Sequence, residues 1–224
     1  MLRLDLAEGE YYHIYSRGTE KRDIFLDDKD RERFVTLLYL ANGDGSARIS
    51  NYFRSEQGRG LLNLFDKEKG EPIVSIGAWC LMPNHIHILI KEIKQGGISK
   101  FMGKLLTAYS MYFNIRNKRS GALFESRFKS EHIDNDRYLK YLYCYIHLNP
   151  IKIIQRDWKT KGIKDLSSTK KFLNAYEFSS LPDYLGRERK QNIILNTKDF
   201  PAYFEEGESF EKFHNDWLDI KSLS

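Results

Sequence analysis

Ile73-Val74-Ser75-Ile76-Gly77-Ala78-Trp79-Cys80-Leu81-Met82-Pro83-Asn84-His85-Ile86-His87-Ile88-Leu89-Ile90-Lys91 is the stretch that decides the fold of this chain. Two apolar runs flank Pro83-Asn84, so the stretch reads as two strands, residues 73–82 and 85–91, joined by a tight turn. Their near-continuous apolar character predicts central strands. Side chains in a strand alternate faces, so His85 and His87 point one way and Ile86 points into the core. Two imidazoles side by side on one face of a sheet form a ready metal pair.

Outward from this hairpin, residues 11–16 are short and rich in Tyr and Ile, a first strand ended by Arg17-Gly18-Thr19. Asp27-Asp28 opens a helix with Phe34, Leu37, Leu38 and Leu40 as its apolar stripe. Residues 42–71 are Gly-rich and charged and read as a long loop or an inserted hairpin. On the other side, Gly96-Gly97 breaks the chain, and Ser99 is placed to cap a helix over residues 100–117. A basic turn, Arg116-Asn117-Lys118-Arg119-Ser120-Gly121, leads to a fourth strand over residues 128–133. Asp134-Asn135-Asp136 then starts a helix that carries Tyr138, Tyr141, Leu142 and Tyr145 to a stop at Pro150. The order β-α-β-β-α-β-α predicts an α+β fold: a ferredoxin-like or RRM-like antiparallel sheet with helices on one face. Residues 151–224 are more charged and broken by Pro182 and Pro201, with helical stretches near residues 199–204 and 210–220. They read as a helical extension packed on a sheet domain of residues 1–150.

Within Tyr145-Ile146-His147-Leu148-Asn149-Pro150, Tyr145 and Asn149 lie one helical turn apart on one face. A phenol that can become a nucleophile is thus set beside an amide oxygen that can complete a metal site. His147 falls on about the opposite side of that helix and is not read as a ligand. Tyr141 and Tyr143 compete with Tyr145 for the nucleophile's place. His13 and His132 read as solitary surface or strand-edge residues. Arg116, Lys118, Arg119, Arg127 and Lys129 gather around Gly121 and, with Arg17, make a candidate phosphate-contacting rim.

Composition narrows the partners. The 224 residues are 41% hydrophobic and 30% charged, which fits a globular protein and excludes a disordered one. A net charge of +5 favours an anionic partner, and 14% aromatics interleaved with Lys and Arg suit single-stranded nucleic acid. Cys80 and Cys144 sit among apolar residues as reduced, buried thiols, without zinc-ligand spacing. The first residues carry no signal-peptide pattern and no run reaches membrane-span length, so a reducing, cytoplasmic location is expected and no membrane partner.

These motifs resemble a known family. Leu81-Met82-Pro83-Asn84-His85-Ile86-His87 resembles the His-hydrophobic-His (HUH) signature of single-tyrosine DNA transposases. Gly121-Ala122-Leu123-Phe124-Glu125-Ser126-Arg127-Phe128-Lys129, followed by residues 145–150, is similar to the second half of the REP-associated tyrosine transposases. Ser16-Arg17-Gly18 and Ile24-Phe25 match that family's opening, and Phe178-Ser179-Ser180 with Tyr184-Leu185-Gly186 extends the likeness to about residue 185. Residues 42–71 are longer than the family pattern, and the stretch after Gly186 has no counterpart.

The resemblance implies a metal-dependent single-strand DNA endonuclease and strand transferase. Tyr145 would be the nucleophile, leaving a 5′-phosphotyrosine link and a free 3′-OH. His85, His87 and Asn149 would hold Mg²⁺ or Mn²⁺, and the basic rim would contact DNA. The implied partner is single-stranded or hairpin DNA, with the protein a monomer or homodimer. The alternative is a catalytically silent nucleic-acid-binding module on an RRM-like sheet, which needs exposed aromatics on the central strands. A metal hydrolase using only the His pair would leave the Tyr-x3-Asn spacing unexplained.

Overall fold

A computed structural model describes residues 6–45, 48–55, 60–203 and 210–222. Four strands, β1 (Tyr11–Arg17), β2 (Val74–Met82), β3 (His85–Glu92) and β4 (Lys129–Ile133), form one antiparallel sheet in the order β2-β3-β1-β4. Helices α1 (Asp28–Ala41), α2 (Ile49–Ser55), α3 (Gly97–Arg116) and α4 (Asp136–Leu148) alternate with them. This is the expected α+β architecture, and the strand order is the ferredoxin-like one.

The helices, however, cover both faces of the sheet rather than one. Ile86, Ile88 and Ile90 of β3 pack with Phe34, Leu37 and Leu38 of α1 and with Phe101, Leu105 and Tyr109 of α3. Leu89, with Ala78, Cys80 and Met82 of β2, packs instead with Leu142, Tyr143 and Ile146 of α4. A strand covered on both faces loses its apolar-polar alternation. The near-continuous apolar runs therefore report double cover, not central position. β3 is indeed interior, but β2 is a lateral strand.

The outer edge of β2 is closed by chain from far downstream. Leu81 N–H donates to Phe178 O and Ser180 N–H to Trp79 O, both at 2.9 Å. Asn196 N–H donates to Ile76 O at 2.9 Å. Backbone groups that an edge strand would otherwise leave to water are paired, and all nine residues of β2 are buried.

Local signals explain most boundaries. The Asp27 carboxylate accepts from Asp30 N–H at 3.1 Å and the Asn135 side chain from Tyr138 N–H at 2.8 Å, each capping its helix. Helix α3 starts earlier than expected, after Gly96 at φ +77°, and Ser99 lies inside its first turn. The buried Glu92 carboxylate accepts from Ile98 N–H at 2.7 Å, satisfying a first-turn donor without Ser99. In the 42–71 stretch the described residues hold α2 and a 3-10 turn, Leu61–Asp66, and no strand, so the inserted-hairpin reading falls. Leu64 and Phe65 anchor that turn in the α1 core.

Beyond α4 come α5 (Ile151–Ile154), α6 (Trp158–Lys161), α7 (Leu166–Ala175), α8 (Leu181–Tyr184) and α9 (Phe210–Ser222). Ile151, Trp158, Leu173, Leu181, Phe210 and Leu218 complete the core on the α4 side of the sheet. The helix expected over residues 199–204 does not form. Thr197–Asp199 is a 3-10 turn, and Phe200 is extended ahead of Pro201, which disfavours helical geometry in the residue before it. The Phe200 ring lies against Gly77, where a Cβ would come within 2.8 Å of it. Phe204 lies outside the described residues. Cys80 and Cys144 are both buried, with no disulfide between them. Among the described residues, no helix is long and apolar enough to cross a membrane.

Candidate active site

On the α4 side of the sheet, His85 and His87 open into a cavity of about 280 Å³. Antiparallel pairing places Tyr15 of β1 opposite His87, with His13 on the same face one pleat along. Tyr145 of α4 enters from above. Its ring lies 5.7 Å from both His87 and His13, edge-on to each. Arg17, Lys129, Glu125, Glu131 and Lys152 surround the opening.

The turn before β3 fixes the first imidazole. Asn84 Nδ2 donates to Lys21 O at 3.0 Å, which orients the amide and aims its Oδ1 at His85 Nδ1, 2.6 Å away. An amide oxygen can only accept, so His85 carries its proton on Nδ1 and leaves Nε2 as a lone pair. The turn is held by Ile24 N–H donating to Pro83 O and Gly18 N–H donating to Asn84 O, each at 2.9 Å.

His13 orients the second imidazole. Its Nε2 lies 2.8 Å from His87 Nδ1, with the rings stacked at 5.0 Å. For His87 to offer Nε2 as a ligand, its Nδ1 must donate to His13 Nε2. His13 then holds its own proton on Nδ1, which faces the Glu131 carboxylate at 3.7 Å. A carboxylate-histidine arrangement behind a ligating imidazole sets its tautomer and basicity. His13 is only 4% exposed. This corrects the reading of His13 as a solitary surface or strand-edge residue. His132, by contrast, is exposed beside Glu10.

All three imidazoles are neutral near pH 7. Burial pulls His85 and His13 down to about 4, with Arg17 adding to the effect at His85 and Glu131 opposing it at His13. Burial also holds His87 well below its ordinary value, reinforced by its histidine neighbours and Lys152. Neutral imidazole is the form that binds metal.

Asn149 follows α4. Its Nδ2 donates to Tyr145 O one turn back at 2.8 Å, while its Oδ1 is buried without a hydrogen-bond partner. A buried acceptor left unpaired in this way is costly unless something else meets it. Two imidazole nitrogens and an amide oxygen are a donor set that suits a divalent cation; His85 and His87 line the cavity, and Asn149 lies behind its lining, one turn from Tyr145. Among the described residues no three His, Cys, Asp or Glu side chains converge as a metal site, so the fit depends on Asn149.

Tyr145 is half-buried, and burial raises its phenol above the ordinary value while the Asn149 side chain lowers it. Lys159 holds its ammonium 4.3 Å above the ring, a placement that favours a phenolate. Tyr143 points the other way, buried among Tyr184, Phe200 and Tyr203, and burial pushes it far up. Tyr141 neighbours Tyr145, ring to ring at 5.9 Å, but does not line the cavity. His147 is fully buried and bonded to Ser180 at 2.7 Å, away from the site.

The comparison with known families decides the lineage: the model for IS200-like transposases matches residues 9–149. The chain belongs to the IS200-like transposase family. A solved structure of a REP-associated tyrosine transposase bound to a REP hairpin covers 93% of this chain and 96% of its own, at 14% identity and a TM-score of 0.45. That likeness is too distant to carry a role for any residue. No curated protein matches the chain.

The basic rim of this IS200-like transposase divides in two. Arg17 and Lys129 line the cavity. Lys118 and Arg127 are exposed on the connecting loop outside it. Arg116 is committed elsewhere: it pairs with Asp27 at 2.5 Å and with the buried Asp30, tying α3 to the start of α1. Arg119 donates to Asn114 Oδ1 at 2.6 Å and to Ala122 O at 3.3 Å, bracing its own loop. Arg116 and Arg119 thus spend hydrogen bonds within the fold, apart from the residues that line the cavity. Sequence reasoning missed His13, Tyr15, Glu131, Lys152 and Lys159. The alternation Tyr11-His13-Tyr15 put His13 and Tyr15 on one face, but only the β1–β3 register shows that this face is the one carrying His85 and His87.

Proposed function

We propose that this member of the IS200-like transposases cuts and rejoins one strand of hairpin or palindromic DNA through a covalent tyrosine intermediate. The observation that carries the reading is the Tyr145 phenol standing over paired His85 and His87, with the orphaned Asn149 oxygen one turn away. The Tyr145 oxygen attacks the scissile phosphorus, the bond to the 3′ oxygen breaks, and the strand leaves as a free 3′-OH. The protein keeps a 5′-phosphotyrosine, which the same reaction run backwards joins to a new end. The phenolic proton is released to water as the P–O bond forms, the departing 3′ oxygen takes a proton from water, and the Lys159 ammonium offsets negative charge on the phenol oxygen.

His85, His87 and Asn149 would hold a divalent cation, Mg²⁺ or Mn²⁺. When bound, it supplies charge that polarises the phosphate and fixes it for in-line attack. Arg17, Lys129 and Lys152 surround the opening and would position the flanking phosphates.

The test is a covalent-adduct gel with labelled single-stranded hairpin oligonucleotides, in Mn²⁺ or in EDTA. A denaturation-resistant, metal-dependent shift carrying the label 3′ of the cut is expected. Tyr145→Phe abolishes the adduct and leaves DNA affinity within about twofold, since it removes one hydroxyl and no charge. Adduct formation by that variant would remove Tyr145 as nucleophile. Tight, salt-sensitive binding without adduct under any metal would favour the silent binding module.

A further inference from the structure

A second cavity, of about 420 Å³, lies between α4 and α9. Tyr138 and Tyr141 of α4 form one side, Phe213 and Trp217 of α9 the other. The rings are in file: Tyr138 to Tyr141 at 6.2 Å and near-parallel, Tyr141 to Trp217 at 4.9 Å, and Tyr141 to Tyr145 at 5.9 Å. The file thus runs without a break from this cavity to the phenol over His87. Arg137 and Lys140 stand at its rim, Lys140 with its ammonium 4.8 Å over the Phe213 ring, and none of the lining residues is acidic. Two of its four aromatic rings, Phe213 and Trp217, come from beyond the family match, which ends at residue 149.

From this, we infer that the α4–α9 cavity receives an unpaired base of the DNA strand whose phosphate lies at Tyr145. A planar, neutral base meets aromatic faces, and its phosphates meet Arg137 and Lys140; stacking of this kind is tolerant of base identity. An organic cation is disfavoured by the two positive side chains and the absence of a carboxylate among the lining residues. The inference rests on the single-strand reading above, and adds to it a place where the strand is gripped and the residues of α9 that grip it.

The experiment compares binding of a blunt DNA hairpin with the same hairpin carrying single-stranded flanks on both sides, with 2-aminopurine placed along the flanks. The full-length protein should bind the flanked form more tightly and quench 2-aminopurine at one flank position. Trp217→Ala should weaken flanked-hairpin binding about tenfold, abolish that quenching and leave blunt-hairpin binding unchanged. Trp217→Phe should restore most of both. Arg137→Ala, at an exposed position, should lower the salt dependence of flanked binding alone by roughly one phosphate contact. Should Trp217→Ala fail to fold, the quenching and the Arg137→Ala salt slope decide alone. Unchanged flanked binding in Trp217→Ala, while the Tyr145 adduct still forms, overturns this inference and spares the nuclease reading. Concentration-dependent self-association lost in Trp217→Ala, without an effect on DNA, reassigns the cavity to contact with a second copy. Absence of both flank preference and adduct in the unaltered protein removes both readings.

Discussion

His13 decides which nitrogen His87 can present. With Glu131 behind it and His87 in front, it holds the proton pattern that leaves His87 Nε2 open. His13→Ala should therefore reduce Mn²⁺ affinity by about 10–100-fold, read by calorimetry on the protein alone. His13→Gln, whose amide oxygen can still accept from His87 Nδ1, should recover part of it. Equal affinity in all three proteins would make His13 a packing residue. Asn84 does the same for His85 and is visible in the sequence, because it stands next to its target. His13 was not visible, because its partner is 74 positions away and is met only through strand register.

At the scale of elements, α1 and α3 are joined by a charged tie as well as by their core. Asp30 is fully buried and accepts from Arg116, from Tyr112 OH at 3.0 Å and from Leu26 N–H at 2.9 Å. Arg116→Met should cost about 2–3 kcal/mol in urea unfolding, less than the loss of a wholly buried pair, because Arg116 is one-third exposed and Asp30 keeps two donors. DNA affinity should not change; a marked fall would return Arg116 to the rim. The four strands and the helices α1 and α4 were readable from alternation, caps and breakers. The capping Asn135 and Asp27 announced their helices, and the HxH pair announced its own face. What the residues next to one another do not encode is which helix covers which face. The Leu89 side of β3 also carries His85 and His87 and reads as an open face, so the sheet's second helical layer had no separate signature.

Across the whole molecule, residues beyond Pro150 supply eight of the nineteen buried hydrophobic residues described in the α4-side core, and two histidines are buried there. Burial holds His214 at about 4 and His147 well below its ordinary 6.5. Between about pH 6.5 and 4 the unfolded chain binds a proton at each site that the folded chain refuses. Stability is thus intact above pH 6.5 and falls as pH drops through that window, with a slope of up to about 1.4 kcal/mol per pH unit for each histidine. His214→Leu should flatten the decline between pH 7 and 5 by up to one proton, seen in urea midpoints. An unaltered slope would mean that His214 is protonated in the folded state.

The closure of β2 also has a history in time. Trp79 N–H is met by Ser180 Oγ, 101 residues later. At ribosomal rates of about 5–20 residues per second, roughly 5–20 s separate the synthesis of the two. During that interval the nascent chain carries β2 with its outer hydrogen-bonding row unanswered. Translation speed over residues 80–180, as much as the finished contacts, then governs how much newly made protein escapes capture by its neighbours.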